Sequence, residues 1–139
     1  SVPAMHRYVI PYLPAAADPR DEAACYVIAA LFGLHPESTV YGNVGDHFAR
    51  TLDRANPEHN VSTERRFGTL LASHRDDLPD HLRQAISFLR SRKEPVPVNY
   101  HQLLRDIRNW NHPDRFVQKN WANAFWRQPA ATVEKSQDS

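Results

Sequence analysis

The sequence is poor in cysteine, in glycine and in long apolar segments. Its single cysteine, Cys25, excludes an internal disulfide framework and any zinc or iron–sulfur site built from several thiolates. No apolar run approaches the roughly 18 residues that a membrane-spanning helix needs, and no basic-then-apolar signal peptide is recognisable. We therefore expect a soluble, cytoplasmic protein. A chain of 139 residues fits one domain, which buries enough surface to fold without a disulfide or a metal.

Motifs for catalysis are equally scarce. The eight histidines form no HExxH pair, and Gly42 and Gly45 lack the Lys-Ser/Thr context and the preceding strand of a phosphate-binding loop. The acidic residues at 76–80 fall at the predicted start of a helix, where carboxylates favour the helix dipole. Cys25 lies next to a helical apolar stripe with no adjacent histidine or asparagine to activate it. We therefore predict no enzymatic activity, no bound metal and no cofactor.

Apolar residues recur at helical spacing, which predicts an all-α fold of about six helices. Caps and breaking residues give the boundaries: the helices begin after Asp18, at Asn43 (ending at about Arg54), near Ser62 or Thr63, at Leu78, after Asn99 and at Pro113. Ala55 in the second helix, and Phe116 and Asn120 in the sixth, are among the residues expected to face inward. From residue 128 the chain is polar and aperiodic, so we predict one helical domain over 1–127 and a disordered tail over 128–139.

The net charge of +1 conceals an uneven distribution. Residues 1–60 carry 4 basic and 7 acidic groups, a net charge of −3, whereas residues 61–127 carry 12 basic and 7 acidic groups, a net charge of +5, and the tail contributes −1. Arginine outnumbers lysine 14 to 3, and its planar guanidinium binds phosphate through two parallel hydrogen bonds. The near-neutral total therefore does not exclude a nucleic-acid partner.

Several predicted helices carry a pair of cations away from their apolar stripe, as an electrostatic groove for a phosphate backbone requires. The pairs are Arg65 with Arg66, Arg83 with Arg90, Arg105 with Arg108, and Arg115 with Lys119. Each pair could equally solvate its helix or bridge a neighbouring acid such as Asp106, and both interpretations stay open. Among the large aromatic residues, only Trp126 departs from core spacing and is a candidate for stacking on a base.

Six short blocks occur in order from Tyr8 to Trp126, which is nearly the whole chain. They are residues 8–13 (YVIPYL), 26–32 (YVIAALF), 44–52 (VGxxFARTL), 64–72 (ERRFxxLLA) followed by Arg75, 82–85 (LRQA) and 110–122 (WxxPDRxVQxxWA). In this order and spacing the blocks resemble the CasB family, the small subunit of the type I-E CRISPR surveillance complex, Cascade. Family members usually carry a further helical segment ahead of the first block, and we assign no role to it.

The resemblance implies a non-catalytic subunit that acts in antiviral defence. It implies two copies arranged head to tail along the inner face of Cascade, beside its backbone and large subunits. They would support the guide RNA and target strand and stabilise the R-loop by holding the displaced DNA strand. The residues that match the family's basic surface are Arg20, Arg50, Arg66, Arg75 and Arg83, and our helical-face argument adds Arg108, Arg115 and Lys119. Ala72 and Gln84 stand where other members carry a basic residue, which predicts less charge there.

Two other classes of function remain as alternatives. A free-standing helical DNA-binding regulator requires a helix-turn-helix pair with exposed polar residues that read bases, and we find no convincing pair. A metal-dependent nuclease requires a cluster of metal ligands, which we do not expect. Both alternatives predict properties of the purified chain that a purely supporting subunit lacks: tight sequence-specific binding in one case, and magnesium-dependent cleavage in the other.

Overall fold

The computed structural model describes residues 19–127, and that part of the chain forms six α-helices and no β-strand. The helices are α1 (Pro19–Leu34), α2 (Val44–Ala49), α3 (Val61–Leu71), α4 (Leu78–Arg90), α5 (Tyr100–Arg108) and α6 (Phe116–Trp126). Short 3-10 turns at Pro57–Asn60 and Arg75–Asp77 precede α3 and α4. The predicted all-α fold of about six helices is confirmed for these residues. The first sequence block, 8–13, and the predicted tail, 128–139, lie outside the described residues.

One apolar core holds the helices together. Helix α2 packs mainly on α6, α1 packs on α5 and α4, and α3 packs on both α4 and α6. The largest fully buried side chains are Trp110, Trp121, Phe48, Phe67, Phe125, Leu78, Leu82, Ile86, Leu89, Leu103, Leu104 and Val44. Burial of a side chain such as leucine or phenylalanine contributes about 1.5–3 kcal/mol. The predicted stripe of α4 (Leu82, Ala85, Ile86, Leu89) is buried throughout.

Helix α2 is shorter than predicted, because it ends at Ala49 instead of near Arg54. After Ala49 the chain forms a turn, in which the hydroxyl and the backbone N–H of Thr51 donate to the carbonyl of Phe48 at 2.7 Å and 3.0 Å. The carboxylate of Asp53 then accepts the backbone N–H groups of Ala55 and Asn56, both at 3.1 Å. Local side-chain hydrogen bonds of this kind compete with the helix, and they leave Ala55 exposed, so its predicted inward position is wrong.

Helix α6 begins three residues later than predicted, at Phe116. Pro113 lies in a turn in which the N–H of Arg115 donates to the carbonyl of His112 at 2.9 Å. Arg115 has a φ of 53°, in the left-handed region, so it cannot belong to the helix that follows it. Val117, Trp121 and Phe125 face the core, whereas Phe116 and Asn120 lie beside this stripe and are exposed, so the prediction that these two residues face inward is wrong.

The contact between α2 and α6 depends on a glycine. A Cβ atom at Gly45 would clash with the backbone carbonyl oxygen of Trp121. Because a backbone oxygen cannot move aside as a flexible side chain can, only glycine permits this close approach. The spacing fixes α6 against the core, and Phe125 of α6 stacks on Phe67 of α3 with ring centroids 4.3 Å apart.

Polar groups at the start of α5 fasten it to α1 and α2. The backbone N–H of Asn99 donates to Nε2 of the buried His47 at 3.0 Å. The Tyr100 hydroxyl lies 3.1 Å from the carbonyl oxygen of Leu31 and 2.5 Å from that of His35. Burial lowers the pKa of His47 to about 4, so the ring is neutral near pH 7 and its Nε2 can accept the Asn99 proton.

A second polar contact fastens α5 to α6. The buried carboxyl of Asp106 accepts the indole N–H of Trp121 at 2.8 Å and the side-chain amide of Gln102 at 2.9 Å. Burial raises the pKa of Asp106, and the hydrogen bonds from Trp121 and Gln102 oppose that rise. Within the described residues Asp106 forms no ion pair with the exposed arginines of α5, because its two oxygens accept from Trp121 and Gln102.

Candidate nucleic-acid interface

A basic groove runs between α3 and α4, which we call the α3–α4 groove. The end of α3 lies beside the start of α4, and the start of α3 lies beside the end of α4, so the two helices run antiparallel. The side chains along their adjoining edges line one groove. The groove is lined by His59, Ser62, Thr63, Arg65, Arg66, Thr69, Leu70, His81, Arg83, Gln84, Ala85, Ser87, Phe88, Ser91 and Arg92. This set contains four arginines and five hydroxyl side chains and includes neither Asp nor Glu.

The arginines reach the groove because their neighbours in sequence face the core. Arg66 precedes the fully buried Phe67, and Arg83 follows the fully buried Leu82, so both guanidinium groups are directed to the surface. Arg66 and Arg83 were predicted separately from the helical spacing of their own helices. The antiparallel pairing of α3 and α4 brings them to one groove.

Phe88 forms part of the groove wall and is itself anchored in the core. Its ring stacks on the ring of the fully buried Phe48, with centroids 5.4 Å apart and an interplanar angle of 18°. The guanidinium carbons of Arg66 and Arg92 lie over the Phe88 ring, 4.8 Å and 4.1 Å from its centroid. The Nε–H of Arg92 also donates to the carbonyl of Phe88 at 3.3 Å. Cation–π contacts of this length contribute about 0.5–1 kcal/mol each at an exposed site.

The chemistry of the groove suits a polyanion. Guanidinium groups supply planar pairs of N–H donors for phosphate oxygens, and serine and threonine hydroxyls supply further donors. No carboxylate lines the groove to compete for these donors. Among the described residues, Arg66, Arg83 and Arg92 form no salt bridge. The arrangement can therefore bind a phosphate backbone without reading its bases.

Two of the predicted site residues, Arg75 and Arg108, lie in a different place, which we call the Arg75–Arg108 cleft. It lies between α1, α4 and α5 and is lined mainly by apolar groups: Ala23, Ala24, Val27, Arg75, Asp76, Leu78, Pro79, Leu82, Ile107 and Arg108. Arg108 Nε donates to Asp21 Oδ1 at 2.6 Å, which fastens α5 to the first turn of α1. Of the two interpretations left open for Arg108, the structure shows a bridge to an acid, Asp21.

The remaining predicted site residues are dispersed. Arg50 lines a shallow depression with Arg54 and Arg127, where Asp46 lies 3.9 Å from Arg127. Arg115 Nη2 donates to the carbonyl of Leu71 at 3.3 Å, which links the start of α6 to the end of α3. Lys119 is exposed one turn further along α6. Arg20 lies in the first turn of α1, and its side chain lies outside the described part of the structure.

Sequence reasoning missed two residues of the α3–α4 groove, Phe88 and Arg92. A signal for them exists in the sequence: they stand at positions i and i+4, the spacing at which side chains meet on a helix. Because Arg92 follows the end of α4 in a segment predicted as a loop, its return over the Phe88 ring depends on how the chain turns there. Gln84, where less charge was predicted, lines the groove as a neutral side chain.

Neither a metal centre nor a membrane span is found in residues 19–127. No group of three or more His, Cys, Asp or Glu side chains in this part of the chain is arranged to hold a metal ion. None of the helices described is long and apolar enough to cross a bilayer.

Trp126, the aromatic residue expected to be exposed, is 51% exposed, and its ring packs edge-on against Phe67 and Phe125.

Fold and groove together define a small helical protein with an arginine-rich surface suited to a polyanion. The family model described as CRISPR-associated protein Cse2 matches residues 1–126. A CRISPR-associated protein Cse2 of Thermus thermophilus is 34% identical over 137 residues, which cover 94% of this chain and 73% of the relative. The chain therefore belongs to the Cse2 family, and the resemblance noted in the sequence is confirmed.

Solved structures support the same assignment. The crystal structure of M. ruber CasB superposes with a TM-score of 0.72 at 26% identity and covers 99% of this chain and 79% of that one. A chain of a structure described as a CRISPR RNA-guided surveillance complex superposes with a TM-score of 0.67 at 25% identity, covering 97% of this chain and 79% of that one. The fold described above is thus shared with proteins named CasB and with a chain of that complex.

Proposed function

We propose that this chain is a non-catalytic subunit of a type I-E Cascade complex and that it stabilises the R-loop by holding the displaced DNA strand. Membership of the Cse2 family supports this assignment, as does the similarity to a chain of an RNA-guided surveillance complex. The subunit acts in the cytoplasm during antiviral defence. Its partners are the backbone and large subunits, a second copy of itself, the guide RNA, and the target and displaced strands.

The α3–α4 groove is the observation that carries the proposal. Arg66, Arg83 and Arg92 line one depression together with hydroxyl groups and without a carboxylate. A displaced strand offers a continuous row of phosphates, and a groove of this composition binds phosphates irrespective of the bases attached to them. A surveillance complex must hold any displaced sequence, so contacts that do not read bases meet its requirement.

The mechanism follows from the energetics of strand exchange. The guide RNA–DNA duplex that forms is about as stable as the DNA duplex that opens, so modest protein contacts decide the outcome. Arginines on a rigid helical surface lower the free energy of the open state by binding the displaced strand, which then re-anneals less readily. In this proposal the helices of the described residues, 19–127, supply that surface.

The experiment replaces Arg66 or Arg83 by Ala in the assembled complex and measures R-loop formation by permanganate reactivity of the displaced strand. A hydrogen bond to a charged group contributes about 1.5–3 kcal/mol, so each replacement should weaken R-loop formation roughly tenfold or more. Salt dependence here means the slope of the logarithm of the equilibrium constant for R-loop formation against the logarithm of the salt concentration. Each lost phosphate contact should reduce the magnitude of this slope by about 0.7. Both side chains are exposed, so the free energy of unfolding should hardly change for Arg83→Ala and should fall by about 0.5–1 kcal/mol for Arg66→Ala, which loses its contact with Phe88.

The matched control is Arg105→Ala, which removes the same charge from an exposed position on α5 outside the α3–α4 groove. R-loop formation should stay close to the wild-type level in this variant. Equal losses at Arg66, Arg83 and Arg105 would indicate a non-specific effect of net charge, and unchanged R-loop formation in all three would contradict the proposed role of the groove.

A further inference from the structure

Phe88 contacts both the core and the cations of the α3–α4 groove. The fully buried Phe48 stacks on its ring. The exposed Arg66 and the half-buried Arg92 lie over the ring from the groove. Phe88 itself is half-buried. The ring therefore joins the core to two of the cations that line the α3–α4 groove.

Stacking on an aromatic ring restrains a guanidinium without using its hydrogen-bond donors. The ring attracts the cation through its π-face, whereas the N–H groups of a guanidinium point outward in its own plane. Arg66 has no salt bridge among the described residues, and Arg92 uses Nε–H for the Phe88 carbonyl, which leaves its terminal nitrogens. Both arginines are thus held in place with donors available for an anion.

We propose that Phe88 is a positioning residue for polyanion binding in the α3–α4 groove, where it orients Arg66 and Arg92 toward consecutive phosphates of a nucleic-acid strand. The guanidinium groups that lie over the Phe88 ring offer their N–H donors to phosphates, so the contacts of this part of the groove do not depend on the bases. This inference rests on the proposed function of the groove and specifies how its cations are organised. An arginine held in advance loses less conformational freedom when the phosphate binds.

The test measures R-loop formation by the assembled complex as a function of salt for Phe88→Leu, Phe88→Tyr and Phe88→Trp. Leucine fills much of the space but has no π-face, so R-loop formation should weaken roughly threefold to tenfold. The salt dependence should fall by about 0.7 for each phosphate contact that is lost. Tyrosine and tryptophan keep the π-face and should restore both properties. Phe88→Met, which has a longer and more adaptable side chain, replaces the leucine variant if that variant does not assemble.

Two controls separate positioning from packing. Phe116→Leu removes a partly exposed phenylalanine whose ring packs on His112, and it should leave the salt dependence unchanged. Phe88→Leu should also have no further effect once Arg66 and Arg92 are both alanine, because Phe88 acts through them. A loss that persists in that double-alanine background, or a wild-type salt dependence in Phe88→Leu, would overturn the inference.

The outcomes also distinguish this inference from the proposed function. If Arg66→Ala and Arg83→Ala weaken R-loop formation and Phe88→Leu does not, the groove binds the strand and only the positioning role fails. If neither arginine replacement has an effect, the proposed function of the groove fails, and the inference about Phe88 fails with it.

Discussion

The α3–α4 groove and helix α5 both carry arginines and other polar side chains, but the two regions use them in opposite ways. On α5, Arg108 pairs with Asp21, and Asp106 accepts two hydrogen bonds within the chain. In the groove, Arg66 and Arg83 face solvent with no acidic residue among the lining side chains. A polar group that is hydrogen-bonded or ion-paired inside the chain stabilises the fold, whereas an arginine without an acidic partner keeps N–H donors for a ligand. The charge of an arginine therefore says less about its role than the partner it faces.

The largest expected effect is on the α5 side, at Asp106. Replacing Asp106 by Ala leaves the buried indole N–H of Trp121 and the Gln102 amide without their acceptor. An unsatisfied buried donor costs about 1–3 kcal/mol, so the free energy of unfolding should fall by about 3 kcal/mol. Asp106→Asn keeps one acceptor oxygen, so the free energy of unfolding should fall by only about 1 kcal/mol. Urea denaturation measures both values, and equal losses in the two variants would contradict the role assigned to the acceptor.

A pH titration should sharpen the comparison through His47. The pKa of His47 is about 4 in the folded chain and ordinarily about 6.5. The unfolded chain therefore binds more protons between these two values, and the stabilisation that is present above pH 6.5 is lost as the pH falls toward 4. His47 should account for a loss of about 2 kcal/mol between pH 7 and pH 5.

The variant His47→Gln isolates this contribution, because glutamine can accept the Asn99 N–H without titrating. The difference between wild type and His47→Gln, measured by denaturant unfolding at each pH, should grow in favour of the variant as the pH falls. Parallel pH profiles for the two proteins would show that the buried ring is not the titrating group.

The smallest expected change in stability is at Arg108, and it distinguishes the arginines of α5 from those of the α3–α4 groove. Arg108→Ala breaks a short but partly exposed ion pair with Asp21 and should lower the free energy of unfolding by about 1 kcal/mol. Asp21→Ala should have a similar effect, and the double variant should be little worse than either single one. In the assembled complex Arg108→Ala should affect R-loop formation much less than Arg83→Ala. Equal losses in the two variants would make the Arg75–Arg108 cleft part of the nucleic-acid interface.

The fold could be predicted from the sequence where local patterns decide the structure. The buried stripe of α4 follows from its spacing alone, and the capping role of Asn99 follows from its position ahead of α5. The length of α2 and the start of α6 were predicted less well, because they depend on hydrogen bonds of Thr51 and Asp53 and on the left-handed backbone of Arg115. The residue types alone do not tell whether such side-chain hydrogen bonds will replace the helical hydrogen bonds at a given position.

The candidate site could be predicted only in part, for a geometric reason. Helical spacing places Arg66 and Arg83 away from the core, each on its own helix, but it does not say which outward faces meet. The antiparallel packing of α3 on α4 brings these two together, and the approach of α5 to α1 pairs Arg108 with Asp21. Helical spacing predicted an outward position for both Arg83 and Arg108. Arg83 lies in a groove without acids, whereas Arg108 forms an ion pair.

The most direct test of the central claim is site-specific photocrosslinking in the assembled complex with a labelled displaced strand. A benzophenone amino acid replaces Gln84, an exposed residue of the α3–α4 groove, or Ala23, an exposed residue of the Arg75–Arg108 cleft. We predict that the strand crosslinks from position 84 and not from position 23. Crosslinking from position 23 alone, or from neither position while the R-loop is open, would contradict the assignment of the α3–α4 groove as the site that holds the displaced strand.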